Sequence, residues 1–564
     1  MAQAAYDYVV STADELKAAV SAANSANTSA AAARKTIFLK NGDYDMGTTE
    51  LRLSGYNISL IGESRDGVVI RGQRSGISNP TVNLRDRTGF YLQDLTLLND
   101  LNYYKANQDK ETTDGGVAVA VYGGDKTVMK NVLMLSAQDT QVTGHRAYFE
   151  DCEIHGTVDF ICGGGDNFYY HTNLVVERNS SCITAPSTSS TLKWGYVFQQ
   201  CAISGIHDGN TDAGYSLGRP WQDTPRCTYL NTTMNILPAD NGWTGMGTLP
   251  THFYEYNSMN ANGEAIDLSV RGNSPTSTNS YTPVLTDAEA ARFTVENVLG
   301  GTDSWLPTEL AAQVAAPAIT LSEGTLAWSA VEDASSYVVL LNGSYLANVT
   351  TTDYAVTTPG LYTVRAANGM GGLGAVSNEV RLAATVSTTA IGWTTVCLDY
   401  DAEVPAGTKA YYISAATSDA VTLTELSVIP AGEGFIFNAA AGDHEFAQAT
   451  STPAAISNLL VGTTAETAVE ADSVYVLSKT DDNTVGLALY TGTSIAAGKA
   501  YLPATSVPSA ARTLRMVIGN EDTGLQSVAT QSQQAGACYD LQGRRTDNPT
   551  KGIYVKDGKK IIVK

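Results

Sequence analysis

Two aspartates stand in settings suited to acid–base and nucleophilic chemistry. Asp139 lies within Ala137-Gln-Asp-Thr-Gln and Asp159 within Gly156-Thr-Val-Asp-Phe-Ile-Cys-Gly, twenty residues apart. Two carboxylates held close together can divide the work of nucleophile and general acid/base, because their surroundings separate their proton affinities. A third element, Leu217-Gly-Arg-Pro-Trp, has the Gly and Pro of a tight turn, one that would aim Arg219 and Trp221 into a cleft. An arginine beside a carboxylate orients it through charge-assisted hydrogen bonds, and an exposed tryptophan stacks on the apolar face of a sugar ring. Plainer readings stand beside these. The chain has 57 acidic residues, so chance pairs of turn aspartates are common, and a tryptophan next to an arginine is often simply buried.

Elements able to position such a pair are visible in the first 300 residues. A helix is expected from Ser11 to Asn27, and the rest reads as short strands broken by Gly, Asn and Asp. Segments beginning at Tyr91, Val128, Tyr148, Tyr169, Val197 and Tyr229 share a pattern of apolar pair, polar pair, then small or apolar residue. Stacked, they make Leu92, Met129, Phe149, Tyr170, Phe198 and Leu230 corresponding positions, with steps as short as 20 residues. That step fits one coil of a right-handed parallel β-helix, which would set Asp139 and Asp159 on neighbouring rungs of one face; an antiparallel sandwich is the alternative. The expected fold class is therefore mainly β, a parallel β-helix followed by β-sandwich accessory domains.

Composition bounds the rest. A chain of 564 residues exceeds one hydrophobic core, and 43% hydrophobic with 16% charged residues argues against disorder throughout. A net charge of −22 disfavours nucleic acid as a partner. No apolar run reaches the length of a membrane-spanning segment. Seven cysteines without paired ligand spacing give no expectation of a zinc site or of an obligatory disulfide framework. His145, His155, His171 and His207 lack ligand spacing too and are expected to serve local hydrogen bonding.

The three blocks Gln138-Asp-Thr, Gly156-Thr-Val-Asp-Phe-Ile-Cys-Gly and Leu217-Gly-Arg-Pro-Trp occur in that order, with Arg146, Cys152, Ile183-Thr-Ala, Gly242-Trp-Thr and Trp305-Leu-Pro around them. Together they resemble the signature blocks of the pectin methylesterase (pectinesterase) family, over roughly residues 35 to 307. The resemblance implies a parallel β-helix that hydrolyses the C6 methyl ester of galacturonate in pectin without metal or other cofactor. It implies Asp159 as nucleophile, Asp139 as general acid and then base, Gln138 as oxyanion donor and Arg219 as the group that orients Asp159. Trp221, Thr184 and Trp243 would contact substrate. Methyl-esterified pectin, either homogalacturonan or a branched region, is the implied partner, and a monomer is expected.

Departures from the family pattern accompany the matches. Gly116 stands where the family has a second oxyanion glutamine, with Gln141 as a candidate substitute, and Cys162 replaces a usual phenylalanine and is expected to be a small buried residue. These departures keep two alternatives open: an esterase for another methyl-esterified uronate in branched pectin, and a catalytically weakened glycan-binding surface protein. Tyr103-Tyr104 and Tyr169-Tyr170 are sugar platforms or core ladders.

The domains expected are 1–310 for the esterase-like β-helix, 311–382 for a module resembling fibronectin type III around Trp328 and Tyr362, 383–524 for a β-sandwich and 525–564 for a tail. From Arg544 the tail carries seven basic residues against two acidic ones, a net of +5, and resembles the C-terminal tails of proteins exported by certain Gram-negative anaerobes. A secreted, periplasmic or cell-surface location in a Gram-negative bacterium is expected, any signal peptide having been removed before Met1.

Overall fold

A computed structural model describes residues 6–101, 103, 115–178, 181–205, 214–272, 282–479, 484–508 and 511–519, together with the backbone of four short strands between 538 and 563. The chain divides into two compact units, Met1–Leu382 and Ala383–Lys564.

In the first unit, short parallel strands stack into three ladders, the faces of a parallel β-helix. One ladder runs through Leu51–Leu53, Val82–Leu84, Val119–Val121, Gln141–Thr143, Val158–Gly163, Cys182–Pro186 and Ser216–Gly218. The other two are continuous with each other through the nine-residue strands Tyr91–Asn99 and Thr127–Leu135. Each coil turns a corner at a polar residue in the left-handed region, among them Asp94, Asn131, Asp151, His171, Gln200 and Asn231. Asn and Asp tolerate that conformation best, which makes such a residue a marker of coil register.

The register corrects the stacking expected from the sequence. Leu92, Met129, Phe149 and Phe198 do align, but Tyr169 and Tyr229 join them, not Tyr170 and Leu230. The rings of Phe149, Tyr169, Phe198 and Tyr229 form a stack with successive centroids 4.5 Å apart. Tyr170 falls on the outer surface, where it packs on His171. A one-residue slip sends a strand's side chains to the opposite face.

The helix Ala13–Ala26 closes the first coil. Thr12 Oγ1 accepts from the Glu15 amide while the Glu15 carboxylate accepts from the Ser11 amide, which fixes the helix start. Leu16, Ala19, Val20 and Ala23, one stripe at helical spacing, pack on the interior residues Ile37, Leu39 and Leu51.

Residues Ile319–Leu382 form two antiparallel sheets around Leu326, Trp328, Val339, Tyr362 and Val364. This sandwich lies against the outer face of the β-helix. Val338, Leu340, Ala367 and Leu373 cover Tyr6, Phe38, Ile61 and Tyr91 in one buried cluster. The Tyr6 hydroxyl donates to Gly371 O at 2.8 Å, Gln93 Nε2 donates to Leu373 O at 2.8 Å, and Arg365 pairs with Asp94 at 3.2 Å. Gly372 permits this approach: a Cβ there would stand 2.2 Å from Gln93 Oε1 and 2.5 Å from the Tyr91 hydroxyl.

The second unit is also β. A nine-stranded sheet that includes Lys409–Ala416, Ala420–Leu426 and Thr513–Ile518 contributes to two apolar clusters, one around Phe435 and Phe446 and one around Tyr411, Tyr475 and Leu514. Further on, Gly552–Lys556 and Lys559–Val563 pair antiparallel; most other residues from 520 on, with most of the expected tail, lie outside the described residues. No helix among the described residues is long and apolar enough to cross a membrane.

Candidate active site

Asp139 and Asp159 lie on consecutive rungs of the seven-stranded ladder, both with left-handed backbones (φ +59° and +49°). Asp139 lies two residues before the start of the strand Gln141–Thr143. Its amide donates to Val158 O at 3.2 Å, and Thr140 beside it donates to His155 O at 2.7 Å. Asp159 sits where the register between Val158–Gly163 and Cys182–Pro186 shifts, between Val158 and Ile161. That irregularity sends Phe160 and Ile161 into the interior, while Cys162 joins the cluster on the outer face. Aspartate tolerates this conformation, as it does at the coil corners, so the two backbones here fix the direction and register of the side chains.

Arg219 follows the strand Ser216–Gly218, its amide held by Thr184 O at 2.9 Å. Its guanidinium grips Asp159 through both oxygens, Nε to Oδ1 at 2.8 Å and Nη2 to Oδ2 at 2.5 Å. This two-pronged contact fixes the carboxylate's plane as well as its position. Asp139 has no such partner. Burial, and then the charge of Asp159, pushes its carboxyl up to about 6, against the opposing pull of the Cys162 thiol and of Arg219. The arrangement is an arginine-held carboxylate beside a second carboxyl that keeps its proton into the weakly acidic range.

Around the pair, Val117, Ala120, Val142, Cys162 and Ala185 form a small apolar floor with Ile77, Tyr122 and Trp221 at its margin. Trp221 is half-buried and hung from Pro186 O through its amide at 3.2 Å. Gln138, also half-buried, bridges to Val158, and its carbonyl accepts from Gly116 N at 2.9 Å. Cavity size alone points elsewhere: a groove of about 1120 Å³ lined by His145, Arg146, Trp194 and Val298 holds neither carboxylate.

Three expected roles do not match where the side chains lie. Thr184 is fully buried, its hydroxyl donating to Leu217 O at 2.9 Å, and Trp243 is 2% exposed and stacked on Phe253 inside the solenoid. Neither reaches the cleft. Gln141 also faces inward, aligned with Val119 and Ile161, and its Oε1 accepts from the Tyr169 hydroxyl at 3.1 Å, so it cannot replace the glutamine missing at Gly116. Position 116 has little room for a side chain: a Cβ there would stand 2.9 Å from Ser136 Oγ and 3.4 Å from Asn99 Cγ.

Other expectations resolve locally. Tyr103 donates to Glu177 and His155 bridges Glu153 and Glu177, each contact within 3.0 Å, while Tyr104 and His207 lie outside the described residues. The six described cysteines of the chain are buried and free. The sequence reading missed one neighbour of Asp139. Gly115 lies so close that a Cβ there would stand 2.5 Å from Asp139 Oδ2; the Gly115-Gly116 doublet was its signal.

The pectinesterase family model matches residues 7–302. Pectinesterase A of Dickeya chrysanthemi is 32% identical over 332 residues, covering 48% of this chain and 83% of that protein. Pectinesterase 1 of Arabidopsis thaliana is 27% identical over 289 residues, covering 48% and 46%. Among solved structures, a pectin methylesterase from Erwinia chrysanthemi is 28% identical, with a TM-score of 0.43 and coverage of 54% of this chain and 99% of that one. A pectin methylesterase solved in complex with a hexasaccharide is also 28% identical, at a TM-score of 0.42 and the same coverage. With more than half its length matched by the family model and a relative above 30% identity covered over most of its length, the chain belongs to the pectinesterase family.

Proposed function

We propose that the chain removes methyl esters from the galacturonate residues of pectin and releases methanol, with Asp159 as nucleophile and Asp139 as proton carrier. The observation that carries this reading is the unequal treatment of the two carboxylates: Arg219 holds Asp159, while burial and the neighbouring charge keep the Asp139 proton to about pH 6.

Asp159 attacks the ester carbonyl carbon and forms a tetrahedral intermediate, whose oxyanion takes a hydrogen bond from the Gln138 side-chain amide. As the carbon–oxygen bond to methoxide breaks, Asp139 gives its proton to that oxygen and methanol leaves. An anhydride then joins the sugar carboxyl to Asp159. Asp139, now ionised, takes a proton from water, whose oxygen attacks the acyl carbon and frees both galacturonate and Asp159. Trp221 at the cleft margin offers a ring face to the sugar.

Chemistry resides in the β-helix of this reading, while residues 383–524 form an accessory domain and the basic tail serves sorting to the periplasm or cell surface. The direct test is methanol release from methyl-esterified pectin by Asp159→Asn. Retained release would sink the assignment. Comparing homogalacturonan with branched pectin fragments separates the two substrate readings, which the missing side chain at Gly116 makes worth distinguishing.

A further inference from the structure

Asp139 has two oxygens in unlike surroundings. Oδ1 lies 3.7 Å from Cys162 Sγ, within reach of a thiol hydrogen bond. Oδ2 faces Gly115, where a side chain would stand within 2.5 Å of it. Cys162 is 1% exposed among Val117, Ala120, Val142 and Ala185, so its thiol is not placed to meet solvent or substrate. Burial and the two nearby carboxylates raise the thiol's pKa well above its ordinary value, so it stays S–H and remains a neutral donor.

We propose that Cys162 is a positioning residue for the esterase reaction: its thiol occupies Oδ1 of Asp139, so Oδ2, on the edge that Gly115 leaves clear, carries the proton to and from substrate. The inference rests on the role of Asp139 given above. A neutral donor suits the task. Lysine or arginine at position 162 would hold Asp139 ionised and remove the acid, whereas an alkyl side chain would leave either oxygen free to take the proton. Gly115 complements the thiol, because a methyl group there would press on the oxygen that must meet methanol.

The experiment compares the parent with Cys162→Ala and Cys162→Ser in methanol release, following kcat, KM and the pH profile, with melting temperature as the folding control. Loss of the thiol donor removes a stabiliser of the ionised form, so Cys162→Ala is expected to lower kcat about 3- to 10-fold at unchanged KM and to move the basic limb to higher pH. Cys162→Ser, which restores a donor, is expected to return both towards the parent. An alanine variant with parental kcat and an unmoved limb overturns the proposal, as does a serine variant no better than alanine. Should the variants fail to fold, the S–H stretching band of the intact protein decides. One cysteine band should shift as Asp139 titrates and stand still in Asp139→Asn; no such band overturns the proposal. Asp139→Asn also separates the two levels of inference: if it keeps full methanol release, the role of Asp139 itself has failed.

Discussion

Arg219 and Asp159 meet through two hydrogen bonds, at 2.8 and 2.5 Å, across sixty residues of chain and two rungs of the solenoid. The planar fork matches a carboxylate in a way an ammonium cannot. Arg219→Lys keeps the charge but loses the second contact and the orientation. It is expected to lower kcat for methanol release by on the order of 100-fold with a smaller change in KM. A lysine variant with parental kcat would show that charge alone suffices.

Asp139 makes activity and stability depend on pH in a linked way. In the proposed mechanism acylation needs its proton, so kcat/KM for methyl-esterified pectin is expected to fall as pH rises past about 6. For stability, the folded protein holds this proton to about 6 against an ordinary 3.8. Stability is then greatest below the ordinary value and declines as pH rises to the folded one, by about 3 kcal/mol. Asp139→Asn should therefore melt higher than the parent above pH 6 and at the same temperature below about pH 4. An equal melting difference at both ends would contradict the assignment.

Gln138 and Gln141 invite a paired test. Gln141 is enclosed and bonded to Tyr169, whereas Gln138 is only half-buried. Gln138→Ala should lose roughly 100- to 1000-fold in kcat, as removal of an oxyanion donor does elsewhere. Gln141→Leu should stay within a few-fold and show its effect in melting temperature. The reverse pattern would return Gln141 to the cleft.

The coil register makes a sharp prediction for two adjacent tyrosines. Tyr169 is fully buried between Phe149 and Phe198, while Tyr170 lies outside. Tyr169→Ala should cost about 3–5 kcal/mol in denaturant unfolding and Tyr170→Ala about 1 kcal/mol. Equal costs would indicate the slipped register.

Removing the sandwich should damage the β-helix. A chain ending at Ala311 would expose Tyr6, Phe38, Ile61 and Tyr91, each worth about 1.5–3 kcal/mol when fully buried. A chain ending at Leu382 retains that cover. The longer chain is expected to be soluble and to melt cooperatively, the shorter one to aggregate or melt far lower; identical melting curves would mean that the contact stabilises nothing.

How much could be read beforehand follows from what each signal encodes. The placement of Asp139, Asp159 and Arg219 near one another was legible because their motifs specify backbone as well as side chain: two left-handed aspartates, Asp159 at a register shift, and a Gly-Arg-Pro turn. The ladder was legible to within one residue. It slipped at Tyr169-Tyr170 and Tyr229-Leu230, where either apolar neighbour fits an interior slot and only the corner residues His171 and Asn231 distinguish them. Thr184 and Trp243 sit in family blocks near Asp159 and Arg219, but closeness in sequence does not say to which side of a strand a side chain points. A contact such as that of Leu373 with Gln93, from 280 residues away, depends on the assembled fold and leaves no local trace, and the Gly115-Gly116 doublet marks a close approach without naming Asp139 as the partner.

The helix Ala13–Ala26 has a meaning beyond the core it fills. A solenoid is a fibre interrupted: every coil is a template for the next, and an uncovered first rung would present its apolar interior to any other chain in the same condition. By laying Leu16, Ala19, Val20 and Ala23 across that rung, the helix gives the stack a beginning. It turns a polymerisable surface into a terminus.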